Sequence, residues 1–242
     1  MTVAVVVGLV FVVATALQRL TGVGFGLAAV PGLVVVLGPV EGVLLSNVAA
    51  GLISGLGLLG TWRHVRVRLM VPLVLAAAAT VPVGAWTVAR TPAAPLFIGI
   101  GTVVVAAVAC IACGLRMPSL RGRRGAVGAG AASGVLNAAA GVGGPPVSLY
   151  AANAGWSAAE FLPNAQFYGV VVNAFSVAAK GVPDLTGAVW TSATIGLAAG
   201  LSAGIAAAGR LRDASVRRLV LGLAFAGGVV TLAKGLLHGV GA

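Results

Sequence analysis

Two glycine-rich stretches hold the residues of this chain whose types and spacing suit chemistry. The first is Gln18-Arg19-Leu20-Thr21-Gly22-Val23-Gly24-Phe25-Gly26, and the second is Asn137-Ala138-Ala139-Ala140-Gly141-Val142-Gly143-Gly144-Pro145-Pro146. Glycine lets a backbone turn sharply and approach a ligand, and Pro145 or Pro146 suits the first turn of a following helix. A helix start carries roughly half a positive charge on its unpaired N–H groups, so two starts aimed at one point favour an anion. Gly22, Gly24 and Gly26 in the first stretch and Gly141, Gly143 and Gly144 in the second are the candidate binding positions. Small-xxx-small helix packing accounts for any one of these glycines as well, but a Gly-Val-Gly at the same place in both stretches favours binding.

Gln18, Asn47, Asn137, Gln166 and Asn173 are candidate carboxamides in otherwise apolar segments. Each either donates N–H bonds to an oxyanion or ties one helix to another. Arg19 sits beside the first stretch, where a cation attracts an anion or else snorkels to a surface. Glu41 and Glu160 open apolar runs, and a carboxylate there stabilises a helix N-terminus. No Asp or Glu falls mid-run, so no proton relay is evident. Cys110 and Cys113 are too few for a metal site and read as small packing residues. No Walker loop, zincin helix or nucleophile elbow occurs, so neither an enzyme nor a bound cofactor or metal is expected.

The elements that position these residues must be membrane helices. Of 242 residues 60% are hydrophobic and 8% charged, with a mean hydropathy of +1.11. A water-soluble domain cannot keep a charged surface with that composition. In lipid every backbone polar group must be paired internally, and long runs of Val, Ala, Leu and Gly favour helices over a barrel. The chain is thus expected to be an all-α, multi-pass integral membrane protein. Met1 to Leu17 lacks a basic flank and a small-residue cleavage site, and is expected to be a retained segment. The net charge of +11 does not indicate nucleic acid, because the basic residues cluster in short loops. Those clusters are Arg63, Arg66 and Arg68; Arg116, Arg121, Arg123 and Arg124; and Arg210, Arg212, Arg217 and Arg218, the pattern of cytoplasmic loops.

Six runs are long enough to span: about 41–60, 69–88, 95–115, 159–179, 188–208 and 216–237. Residues 3–37 and 126–154 are instead expected to form hairpins of two short helical arms, each with a glycine-rich stretch at its tip. An offset of 119 superimposes the halves, carrying Gly22-Val23-Gly24 onto Gly141-Val142-Gly143, Glu41 onto Glu160, Gln18 onto Asn137 and Asn47 onto Gln166. Residues 1–117 form a first repeat, 118–124 a cytoplasmic linker and 125–242 a second repeat. Basic loops fall at different places in the two halves, Arg63–Arg68 in one and Arg210–Arg218 in the other, so the repeats are expected to be inverted with both termini outside. Inverted repeats with interrupted helices place a substrate site near the midplane.

The second stretch, extended to Gly134–Tyr150, together with Thr21–Gly26 and Pro31, resembles the TauE/SafE sulfite-exporter permease family. That resemblance implies a carrier that exports a small anionic sulfur-containing substrate, sulfite or an organosulfonate, across the bacterial cytoplasmic membrane. Phe25 stands where many relatives carry a longer glycine run. A passive anion channel, or a membrane-embedded sulfur enzyme built on Cys110 and Cys113, are the alternatives. The oligomeric state stays open, a homodimer included.

Overall fold

The computed structural model describes residues 1–21, 24–114, 121–208, 210 and 213–240. Helices make up the regular structure among them: α1 Thr2–Thr21, α2 Phe25–Leu37, α3 Pro39–Leu59, α4 Val67–Arg90, α5 Ala93–Ala112, α6 Gly122–Ala140, α7 Gly144–Asn153, α8 Ala158–Lys180, α9 Gly187–Ala207 and α10 Asp213–Val240. A single 3-10 turn, Trp62–His64, leads into α4.

Among the described residues six helices are long and apolar enough to cross a membrane: α1, α3, α4, α5, α9 and α10. α8 is long enough at 23 residues, but Glu160, Asn164, Gln166, Asn173 and Lys180 lower its hydropathy. Its polar side chains turn inward to other helices, and a lipid-facing helix could not carry them.

The hairpins have unequal arms, which corrects the expectation of two short ones. α1 has 20 residues and α6 has 19, so each first arm is about 30 Å long at 1.5 Å per residue. Only the second arms are short, with 13 residues in α2 and 10 in α7. Gln18-Arg19 looks like an interruption in sequence, yet a helix bonds through its backbone and carries both side chains in its last turn. The break falls at Gly24, whose φ of 119° a side chain rarely permits.

At the offset of 119, Phe25 falls on Gly144 and Pro39 on Ala158, the first residues of α2 and α7 and of α3 and α8. Packing follows the same relation. α1 lies on α9 and its counterpart α6 lies on α4, while α3 packs on α8 and α5 on α10. Glycines set these approaches. Gly196, Gly200 and Gly204 of α9 recur every fourth residue against α1, and Gly130 and Gly134 of α6 face Leu73 and Ala77 of α4. Without a hydrophobic force between helices in lipid, such close backbone contact is the main source of packing energy.

Candidate functional site

Each tip is built by its own local chemistry. At the first, the Gln18 Oε1 accepts the N–H of Phe25 at 2.9 Å and so caps the start of α2. That bond assigns the amide oxygen and leaves the Gln18 NH2 as the group able to meet a ligand. At the second, Gly141 ends α6 in a left-handed conformation, φ 66°, and its N–H bonds Asn137 O at 2.9 Å. α7 then begins with Gly144, Pro145 and Pro146. Proline has no N–H, so the unpaired donors of this helix start belong to Gly144 and Val147.

The tips meet: a Cβ placed on Gly26 would collide with the carbonyl oxygen of Gly141. Beside this junction is a cavity of about 690 Å³, lined by Gln18, Gly24, Gly26, Asn137, Gly141, Gly143, Gly144 and Asn173 among others. Gly22 lies outside the described residues. Arg19, Asn47 and Gln166 do not line the cavity. Arg19 is exposed and packs against Gly204 of α9, and Gln166 is buried against Gly57 of α3. Asn47 is 1% exposed and its Nδ2 donates to Asn137 O at 3.4 Å, while its Oδ1 has no partner among the described residues.

A polar layer backs the second tip. Asn137 Nδ2 donates to Asn173 Oδ1 at 3.1 Å and to Ser176 Oγ at 2.9 Å. Both amide hydrogens of Asn137 are thereby used, so this residue orients Asn173 instead of donating to a ligand itself. Asn173 Nδ2 gives one hydrogen to Gly169 O at 2.8 Å and keeps the other. Ser133 Oγ donates to Gly143 O, fixing the turn between α6 and α7. No charged side chain lines the cavity among the described residues. What it offers is neutral: helix starts, hydroxyls and amide N–H groups at the tips, with Phe25, Val147, Trp156, Phe161 and Val220 on the walls.

The lining runs from the tips to Ile111 at the end of α5, to Ala158 and Phe161 at the start of α8 and to Val216 near the start of α10. These helix ends adjoin the basic stretches. Arg66 pairs with Glu160 in the first turn of α8, and Arg121 precedes α6. On the far side of the tips Val7, Phe11, Phe25, Leu33 and Leu45 form a buried cluster, with the Phe11 and Phe25 rings edge to face at 5.5 Å.

Sequence reasoning missed Ser176, Trp156, Tyr168 and Lys180. Ser176 follows Asn173 by three positions, so a helical reading of α8 would have put it on the same face. Lys180 follows an apolar run with no local sign of a partner, whereas its Nζ donates to Ala138 O at 2.8 Å.

Spanning helices joined to two hairpins whose polar tips border one cavity define a polytopic membrane transport protein. Comparison with family models bears this out: residues 7–231 match the sulfite exporter TauE/SafE model, and the chain belongs to that family. It is a family of transporters, not enzymes. Comparisons with curated proteins and with solved structures give no match.

Proposed function

We propose that the protein exports sulfite or a small organosulfonate across a bacterial cytoplasmic membrane, working as a carrier with its site at the joined tips. The observation that carries this reading is the pair of helix starts, Gly26 of α2 and Gly144 of α7, bordering one cavity that holds no described charge. An oxyanion accepts N–H and O–H bonds from several directions, and both helix starts supply them along with favourable dipoles. Gly24, Gly26, Gly143 and Gly144 bring backbone to the ligand, with Gln18 and Asn173 donating from their free amide hydrogens. Asn137, Asn47 and Gln166 hold the helices that carry those groups.

The halves work as inverted repeats about an axis between the tips. The cavity then opens to the cytoplasm, the side of the basic loops. The cluster around Phe11 and Phe25 closes the other side, which favours alternating access over a continuous pore. Apolar walls suit the organic part of a sulfonate, and the volume exceeds what sulfite needs.

The test is uptake of radiolabelled sulfite, methanesulfonate and sulfate into proteoliposomes, with counterflow measured beside it. Saturable sulfite or sulfonate uptake with counterflow supports the carrier. Transport of neither sulfite nor methanesulfonate defeats the assignment, and large unitary currents defeat the carrier.

A further inference from the structure

We propose that Lys180 sets the anion preference of the cavity by cancelling the carbonyl pole at the end of α6. The proposal rests on the transport reading above. At each tip one helix ends where another begins. The beginning attracts an anion, but the ending carries roughly half a negative charge and repels it. Unless something answers the carbonyls of α6, the start of α7 works against its own neighbour.

The last turn of α6 is answered from α8. Asn173, Ser176 and Lys180 follow one another at i, i+3 and i+7, so they share a face of that helix. The first two accept from the Asn137 side chain at 3.1 and 2.9 Å, and the third donates to Ala138 O at 2.8 Å. Asn173 also lines the cavity, so this row begins at the site and ends at the ammonium. Neutral donors would satisfy the carbonyls equally well as hydrogen bonds. Only a protonated lysine adds a positive charge.

That charge has no described counter-ion, because Lys180 forms no ion pair among the described residues. It is half-buried at the C-terminal end of α8, with its ammonium on the last turn of α6. An uncompensated cation in such a place is expensive when its role is only to fill space. At the first tip Arg19 lies in the last turn of α1 and provides a cation at the matching pole, though from an exposed position.

The experiment compares wild type with Lys180→Gln, Lys180→Met and Lys180→Arg in proteoliposomes at about pH 6, where Lys180, whose pKa burial lowers to about 7, keeps its proton, using methanedisulfonate as the dianion and sulfite, singly charged at that pH, as the monoanion. Thermal unfolding in detergent accompanies each variant. Lys180→Gln is expected to raise KM for the dianion about tenfold, the size of one charge-assisted hydrogen bond, with kcat nearly kept. The loss is smaller for the monoanion, and Lys180→Arg restores most of it. Lys180→Met keeps the packed stem and serves if the glutamine variant unfolds. Equal KM losses for both anions, a wild-type KM in the folded neutral variants, or failure of arginine to rescue would each overturn the proposal while wild-type transport stands. A wild type that moves neither anion would instead bring down the transport reading and this inference with it.

Discussion

Arg66 and Glu160 form an ion pair of 2.7 Å that ties the loop before α4 to the first turn of α8. Glu41, the residue that maps onto Glu160, accepts the N–H of Asp184 at 3.0 Å and so ties the loop before α9 to the first turn of α3. Each glutamate therefore grips the opposite half of the chain. Glu160 does so while also closing a capping box with Ser157, its Oε2 accepting from Ser157 N at 3.0 Å.

Because the Arg66–Glu160 bond sits where α8 borders the cavity mouth, breaking it should disturb transport more than folding. Arg66→Gln and Glu160→Gln are each expected to reduce initial sulfite uptake, and the double variant should be no worse than the poorer single one. Losing either partner removes the same bond, so the effects do not add. Exposed pairs contribute little to stability, and melting temperatures should barely move. Additive losses in uptake would mean that the two side chains act separately.

The glycines of the tips divide by what a side chain would meet. A Cβ on Gly143 would come within 2.8 Å of the Asn137 side chain, and one on Gly26 would strike Gly141 O, so alanine at either position should impair folding itself. Gly144 differs. It lines the cavity, its φ is not positive, and a Cβ there meets nothing within 4 Å. Gly144→Ala should express and melt like wild type yet raise KM several-fold, with Gly144→Val worse and Gly222→Ala, also in open space, serving as control. Normal transport by well-folded Gly144→Val would move the binding site away from this helix start.

Several helix boundaries were legible because glycine and proline punctuate apolar runs, as at Gly38-Pro39 and Gly143–Pro146. Lipid as solvent also leaves few alternatives to helix. The polar layer was not legible. Asn137 meets Ser176 only because α6 and α8 are rotated to face each other, and nothing local to either residue fixes that rotation. The rotation of α1 against α9 likewise turns Arg19 outward although it is adjacent in sequence to Gln18, which lines the cavity. Gln18 itself was readable as a polar residue near the site, but not as the cap of Phe25, seven positions on.

Orientation in the membrane gives a test of the inverted arrangement. A dual reporter at the C-terminus should report the outside, and one inserted at Gly122, the first residue of α6, should report the cytoplasm. Both reporters on one side would end the inverted-repeat proposal, since the second repeat would then cross an even number of times.

The absence of a carboxylate from the described cavity lining bears on the driving force. A proton-coupled carrier needs a group that takes up and releases the proton beside the substrate, and the described lining offers only amides, hydroxyls and backbone. The simplest mechanism is then movement of the anion alone, driven outward by the inside-negative potential. Each elementary charge gains roughly 2.3 kcal/mol per 100 mV, enough to sustain about a fiftyfold gradient without a coupling ion. Arg19→Gln should weaken this transport less than Lys180→Gln, because Arg19 is exposed and its side chain packs on Gly204 outside the cavity. The measurement is sulfite efflux from proteoliposomes held at a potassium-diffusion potential, with equal pH on both sides. An interior-negative potential should accelerate efflux and its reversal should slow it. Efflux that ignores the potential but follows an imposed pH gradient would reject the uniport, and Glu41 and Glu160, the carboxylates that hold the loops of opposite halves, would become the first residues to neutralise.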